Sequence, residues 1–233
     1  MKKALLVCML LYAAPGVFGQ VSIGVRGGFN ASNIEFGGGA GETIGTGYMK
    51  PLYGWHADLM FNIPVAGRFY LQPYLRYIRK GATIRDQPWL KPDIPGLTVT
   101  WGSSMELDYL ELPVNMVYKL PVGRGHLVGG VGPYVGYGLK GKYNYRLMRN
   151  GVEEAREVRK VRFSDSGGDA STIRMQPWEA GAHLSIGYEF FSTFTIAANC
   201  NIGLTDIDRG NDGRSRNQYL GLSMGFLLNR EDY

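Results

Sequence analysis

WEAGAHLSIGYEF, residues 178–190, alternates without a break. Trp178, Ala180, Ala182, Leu184, Ile186, Tyr188 and Phe190 share one side, while Glu179, Gly181, His183, Ser185, Gly187 and Glu189 share the other. A period of two is the mark of a strand with unlike faces. Seven further stretches do the same: 21–30, 53–63, 69–80, 109–119, 126–137, 194–205 and 219–226. Each is about as long as a tilted strand must be to cross a bilayer.

The connections between these runs alternate in length. Residues 31–50, 81–104, 139–176 and 206–217 are long; 64–68, 121–125 and 191–192 are short. Long on one end and short on the other is the pattern of an up-and-down barrel in an outer membrane. An even strand number puts both termini on the short-turn side, which is expected to be periplasmic.

Alternation alone does not say which face is inside. The chain has 34 glycines, about twice the usual share and without the three-residue period of collagen. Gly24, Gly28, Gly130, Gly132, Gly136, Gly181, Gly187, Gly203, Gly221 and Gly225 all fall on the polar face. Small residues belong on the concave side of a narrow closure. The polar face is therefore the inside, and the apolar face looks outward, as lipid requires. Tyr53, Trp55, Tyr118, Tyr137 and Trp178 stand near run ends, where an interfacial girdle belongs.

Composition excludes other classes. Hydrophobic residues make up 45% and charged residues 19%, too apolar for a disordered tail. Cys8 and Cys200 are too few for a disulfide scaffold or a Cys-rich zinc site. Met1 to Gly19 carries two lysines, an apolar run from Ala4 to Ala14, and Val17-Phe18-Gly19 with small residues at the cleavage positions. It reads as a signal peptide over 1–19 with the barrel domain over 20–233. Cys8 sits inside the apolar run, where a lipidated cysteine would not be.

GVRGGFNASNI (24–34), FNIPVAGRFYLQPYLRYIRKGA (61–82), LDYLELPVNMVYKL (107–120), VGPYVGY (131–137), GYEF (187–190) and NIGLTDI (201–207) resemble the PorT-type outer-membrane β-barrel proteins common in Bacteroidetes. The likeness runs through nearly the whole mature chain. It implies an eight-stranded antiparallel barrel in the outer membrane of a Gram-negative bacterium. Some members of that family are linked to protein secretion; most have no assigned activity.

Few residues point to chemistry. Arg26, Arg76 and Lys119 share the inner face with Asp58, Glu111, Glu179 and Glu189. An eight-stranded lumen is just wide enough for its own side chains, so these are expected to satisfy one another as a buried polar network, His183 included. His183 and Ser185 with Glu179 and Glu189 carry the residue types of an acyl-transfer relay, but on a face turned from lipid. Gly136 to Tyr143 imitates a phosphate-binding loop, yet Tyr143 replaces the magnesium-binding Ser or Thr and no helix follows. Asp206, Asp208 and Asp212 lie in a Gly-rich loop whose spacing Gly210 breaks. No catalytic, cofactor or metal residue is assigned, and no cofactor is expected.

The connection 139–176 is basic in its first half, with Lys140, Lys142, Arg146, Arg149, Arg156, Arg159, Lys160 and Arg162 against Glu153, Glu154 and Glu157. Asn150-Gly151 is a tight-turn signal, so a protruding β-hairpin is expected. Its charge suits anionic lipopolysaccharide, not nucleic acid. Trp89 and Trp101 lie in the connection 81–104 and are available for partner contact. The sequence points to a non-enzymatic structural or accessory barrel, with secretion-system or envelope proteins as partners. Surface binding through the long loops is the alternative, and lipid modification through His183 and Ser185 the more distant one.

Overall fold

The computed structural model describes residues 21–38, 49–90, 99–163, 173–191, 193–208 and 213–228. The proposed signal segment, Trp89 and Trp101 side chains and Asp212 lie outside what it describes. Among the described residues there are ten strands: β1 (Ser22–Gly38), β2 (Met49–Ala66), β3 (Phe69–Leu90), β4 (Val99–Val122), β5 (Gly125–Arg149), β6 (Val152–Phe163), β7 (Ile173–Met175), β8 (Trp178–Phe190), β9 (Phe194–Gly203) and β10 (Gly213–Leu227). Eight of them form a ring: each of β1 to β5 pairs with the next, β5 pairs with β8, and β8, β9 and β10 continue back to β1. All pairings in the ring are antiparallel. This is an all-β, eight-stranded, antiparallel up-and-down barrel, and closure leaves it without a free edge.

Turn chemistry sets the short end. Gly67 (φ +54°) and Gly123 (φ +63°) occupy the first central position of the two-residue β2–β3 and β4–β5 turns. A II′ turn needs a positive φ there, which glycine supplies without strain. At the opposite end Asn150 (φ +49°) and Gly151 (φ +80°) are both positive, the I′ geometry that Asn-Gly favours. They join β5 to β6 in the protruding hairpin. β6 pairs only with the outer half of β5, from Gly141 to Arg149, and β7 then runs parallel to its last three residues.

The long connections are shorter than the sequence suggests. Residues 81–104 read as a Pro- and Gly-rich loop, yet β3 runs on to Leu90 and β4 begins at Val99. Ala82, Thr83 and Ile84 pair with Met105, Ser104 and Ser103. Register shifts flank Pro88, and a bulge is where a strand tolerates a proline. Pairing with a ready neighbour overrides local loop propensity. β1 likewise reaches Gly38, well into the connection 31–50.

The apolar side chains look outward. Phe29 is 79% exposed, Tyr53 80%, Leu222 68% and Trp178 63%. Trp55 touches Tyr77 and Tyr137 touches Trp178 toward the long end; Phe69 with Tyr118 and Phe190–Phe194–Phe226 form contacts at the short end. Phe69 and Tyr77 lie on one strand and Trp178 and Phe190 on another. At ~3.3 Å per residue and a tilt near 40°, these pairs bracket an apolar band roughly 20–30 Å tall, enough for a bilayer core.

Candidate functional site: the filled lumen

Parity along each strand decides which side chains enter the barrel. In β3, Tyr70, Gln72, Tyr74, Arg76, Ile78 and Lys80 all point inward and are buried. Arg26 from β1, Asp58 from β2, Glu111, Asn115 and Lys119 from β4, and Glu179, His183 and Glu189 from β8 are buried with them. Glycine makes the room. A Cβ on Gly132 would stand 1.9 Å from the Val114 carbonyl oxygen, so no other residue lets β5 approach β4 so closely.

The charges form three groups. Asp58 is held by both Arg26 and Arg76: Arg26 Nε donates to Oδ2 at 2.8 Å, and Arg76 donates Nε to Oδ1 at 2.7 Å and Nη2 to Oδ2 at 2.8 Å. Arg76 also donates to the Tyr219 hydroxyl. Lys80 bridges Glu111, at 2.6 Å, and Glu179. Asn201 donates to Glu111 at 3.2 Å and Asn217 to Glu179 at 2.6 Å. Nearer the short turns, Lys119 meets Glu189 at 3.0 Å. Tyrosine faces complete the shell: Arg26 sits 4.5 Å from the Tyr74 ring centre, Lys80 4.2 Å from Tyr109, and Lys119 4.4 Å from Tyr70.

Among the described residues of the lumen, four buried cations thus face four buried carboxylates, which leaves the belt with no net charge to select an ion. Such charges lie in a low-dielectric interior only because each is paired and hydrogen-bonded. A cavity of about 30 Å³ beside Arg26, Gln72 and Glu189 has room for a water or two, not for a solute.

The interior is not polar throughout, as the alternation suggests. Toward the long end Ile34, Ile78, Ala82, Leu107, Tyr109, Val161, Met175, Ile207 and Tyr219 pack into an apolar layer. Toward the short end Met60, Tyr74 and Leu227 form a smaller one. Leu107 and Tyr109 share the inward parity of Glu111, and the register shift beside them leaves Leu139 of β5 without a cross-strand partner on β4. Met175 and Ile207 come from outside the ring: the Gln176 N–H donates to the Ile207 carbonyl and the Ile207 N–H to that of Ser215, folding both connections over the lumen.

The relay residues are not assembled. His183 Nδ1 lies 2.7 Å from the Asn115 amide and Nε2 lies 3.5 Å from Arg76. Arg76 can only donate, so Nε2 accepts, and both ring nitrogens are engaged away from Ser185. Ser185 accepts from Asn115 instead, and Glu179 belongs to Lys80. The 136–143 stretch lies along β5 and opens no helix. Asp206 accepts the N–H groups of Asp208 and Ser215, a turn-holding role. Among the described residues no cluster of His, Cys, Asp or Glu could hold a metal.

Lys80, at the end of its run, joins the lumen charges beside those the sequence singles out. Its parity with Arg76 was the available signal. His56, within 2.7 Å of Ser223, which also accepts from Asn199, had no signal beyond parity.

A narrow transmembrane barrel filled by its own side chains is the class that fold and lumen define. The chain belongs to the family described as outer membrane protein beta-barrel domain, whose profile matches residues 14–209. No curated protein matches the chain. Among solved structures it is similar to the attachment invasion locus protein Ail of Yersinia pestis, at 12% identity over 90% of this chain and 99% of that one, with a TM-score of 0.39. It is also similar to the outer membrane protein OprG of Pseudomonas aeruginosa, at 11% identity over 90% and 97%, with a TM-score of 0.40. Likenesses this distant say nothing about function.

Proposed function

We propose that this protein works through its surfaces and not through its lumen: a non-enzymatic outer-membrane barrel serving as a structural or accessory component of envelope assembly or protein secretion. One observation carries the reading. Among the described residues the lumen is occupied by a charge-balanced network with apolar layers above and below it, and the cavity beside Arg26 and Glu189 holds a water or two. The PorT-type motifs of the sequence, and the link of that family to secretion, support it. In this reading the short turns and both termini are periplasmic and the long hairpins lie outside.

The test is mild cross-linking in native outer membranes, followed by capture through a tag after Tyr233. Stoichiometric recovery of secretion or envelope-assembly proteins is expected. Recovery of the barrel alone, at a level of cross-linking that captures known neighbours, overturns the reading. Cys200 checks the membrane face independently, since it lies between outward-facing Ile202 and Ala198 on β9. It should react with a membrane-soluble maleimide and resist a water-soluble one.

A second reading, surface binding through the long end, is favoured by β6, whose residues 152–160 are all exposed. Deleting the outer part of the β5–β6 hairpin abolishes function in that case and spares it in the first.

A further inference from the structure

The outer wall carries a charged notch where the hairpin leaves the barrel. A cavity of about 230 Å³ is lined by Arg79, Glu106, Asp108, Lys140, Lys142 and Lys160 among others. Asp108 organises one side of it: Arg79 Nε donates to its carboxylate at 2.8 Å and Lys140 lies 3.6 Å away. On the other side Lys142 has Glu106 opposite it on β4, and a second cation opposite it on β6. Lys142 stands directly opposite Lys160 in the β5–β6 register, and four residues further Arg146 stands directly opposite Arg156 on the same face. Like charges facing each other across strands repel. None of these four makes an ion pair with a described carboxylate. Two positive charges are in excess around the notch, and the repulsion falls once an anion sits between them.

The height of the notch says what kind of anion. Tyr77, which pairs with Trp55 in the aromatic girdle, is two residues from Arg79 on β3. At ~3.3 Å per residue and a tilt near 40°, the first notch cation lies about 5 Å beyond the girdle, at the level of lipid headgroups. The surrounding wall below it is lipid-facing: Leu110 and Tyr137 are exposed next to the notch strands. An anion reaching this place from the side is attached to a lipid.

We propose that the notch seats the phosphate of a phosphorylated glycolipid of the outer leaflet, with Lys142 and Lys160 as its anion-binding pair and Arg79 and Lys140 as its flanks. The geometry exchanges cross-strand repulsion for charge-assisted bonds to phosphate oxygens. It couples the protruding hairpin to the membrane surface, so that the lipid holds β6 against β5 at its root. The inference rests on the orientation proposed above, with the long hairpins outside.

The test uses the full-length folded barrel in detergent, titrated with bisphosphorylated lipid A, with the same lipid dephosphorylated, and with inorganic phosphate, read by native mass spectrometry. The wild type is expected to retain the phosphorylated lipid, and K142Q/K160Q to bind it roughly tenfold or more weakly, from the loss of two interfacial cations. The dephosphorylated lipid should not distinguish the two proteins. Equal binding of phosphorylated lipid by both overturns the site. Inorganic phosphate binding as tightly as lipid A overturns the lipid assignment. Both lysines are exposed, and heat-dependent gel mobility confirms that each variant is folded; K142Q and K160Q alone should each show part of the loss. Orientation is read separately, by water-soluble labelling of Ala155→Cys in intact cells, so failure of the site and failure of the orientation are told apart.

Discussion

The lumen and the hairpin use the same charged residue types to opposite ends. In the lumen every cation meets a carboxylate within a salt bridge and is almost fully hidden from water. On β6 and the facing half of β5, arginines and lysines stand in water, some opposite one another. Burial makes pairing obligatory; exposure leaves charge free for other tasks. One is to blunt an open edge, since β6 between 152 and 160 has a described partner on one side only and charged edges discourage strand addition. The difference separates a lumen whose charges are used up in holding the fold from a hairpin whose charges remain open to solvent.

Breaking one lumen pair is the strongest way to test that division. Asp58→Asn leaves the Arg26 and Arg76 guanidiniums buried without their counter-charge. Removing one partner of a buried pair costs about 3–5 kcal/mol, so urea unfolding in lipid vesicles should show a loss of that order. Glu154→Gln removes the exposed partner of Arg149 and should cost about 0–1 kcal/mol in the same assay. Equal losses would collapse the distinction.

Two glycines on β5 sharpen it sterically. Gly132 faces the lumen, where an added Cβ meets the Val114 carbonyl oxygen at 1.9 Å; Gly129 has nothing within 4 Å of the same position. Neither has a positive φ, so space alone separates them. Gly132→Ala should destabilise by about 1–3 kcal/mol through overpacking, while Gly129→Ala should be neutral or slightly stabilising. Urea midpoints of the two variants decide it.

The ring, its short turns and the inward or outward sense of each strand were legible because period two and glycine placement depend only on local sequence. Arg26 and Arg76 could be assigned to the inner face from parity. That both converge on Asp58 could not, because the contact joins three strands through a closure set by register. The apolar layer at the long end was hidden for a related reason. Leu107 and Tyr109 share parity with Glu111, but Val161, Met175 and Ile207 reach the layer from connections whose path no local pattern encodes. Pro88 misled in the other direction, because its strand exists through β4 and not through its own propensity.

Relieving the hairpin's repulsion is a smaller test. Without lipid A, K142Q/K160Q should leave the unfolding midpoint unchanged or raise it, by up to about 1 kcal/mol, since cross-strand pairs contribute about 0.2–1 kcal/mol. A clear loss of stability would mean that the lysines pack against the wall and that repulsion is not what the pair feels.

The smallest effect comes from Glu157 and Arg159, two residues apart on β6 and bonded at 2.8 Å in full solvent. The Arg159 hydrogen bond and charge hold the Glu157 carboxyl below its ordinary value of 4.5. A depressed carboxyl stabilises the fold above the unfolded-state value, and that contribution disappears as pH falls through the folded one. Here the partner is a near neighbour in sequence, so the unfolded chain keeps part of the same attraction, and water screens the rest. Carboxyl NMR should therefore find the Glu157 midpoint below the ordinary 4.5, while barrel stability stays flat across that pH interval. If stability instead fell with the Glu157 titration, the hairpin's charges would be bracing the barrel as the lumen's do, and the functional division between the two regions would fail.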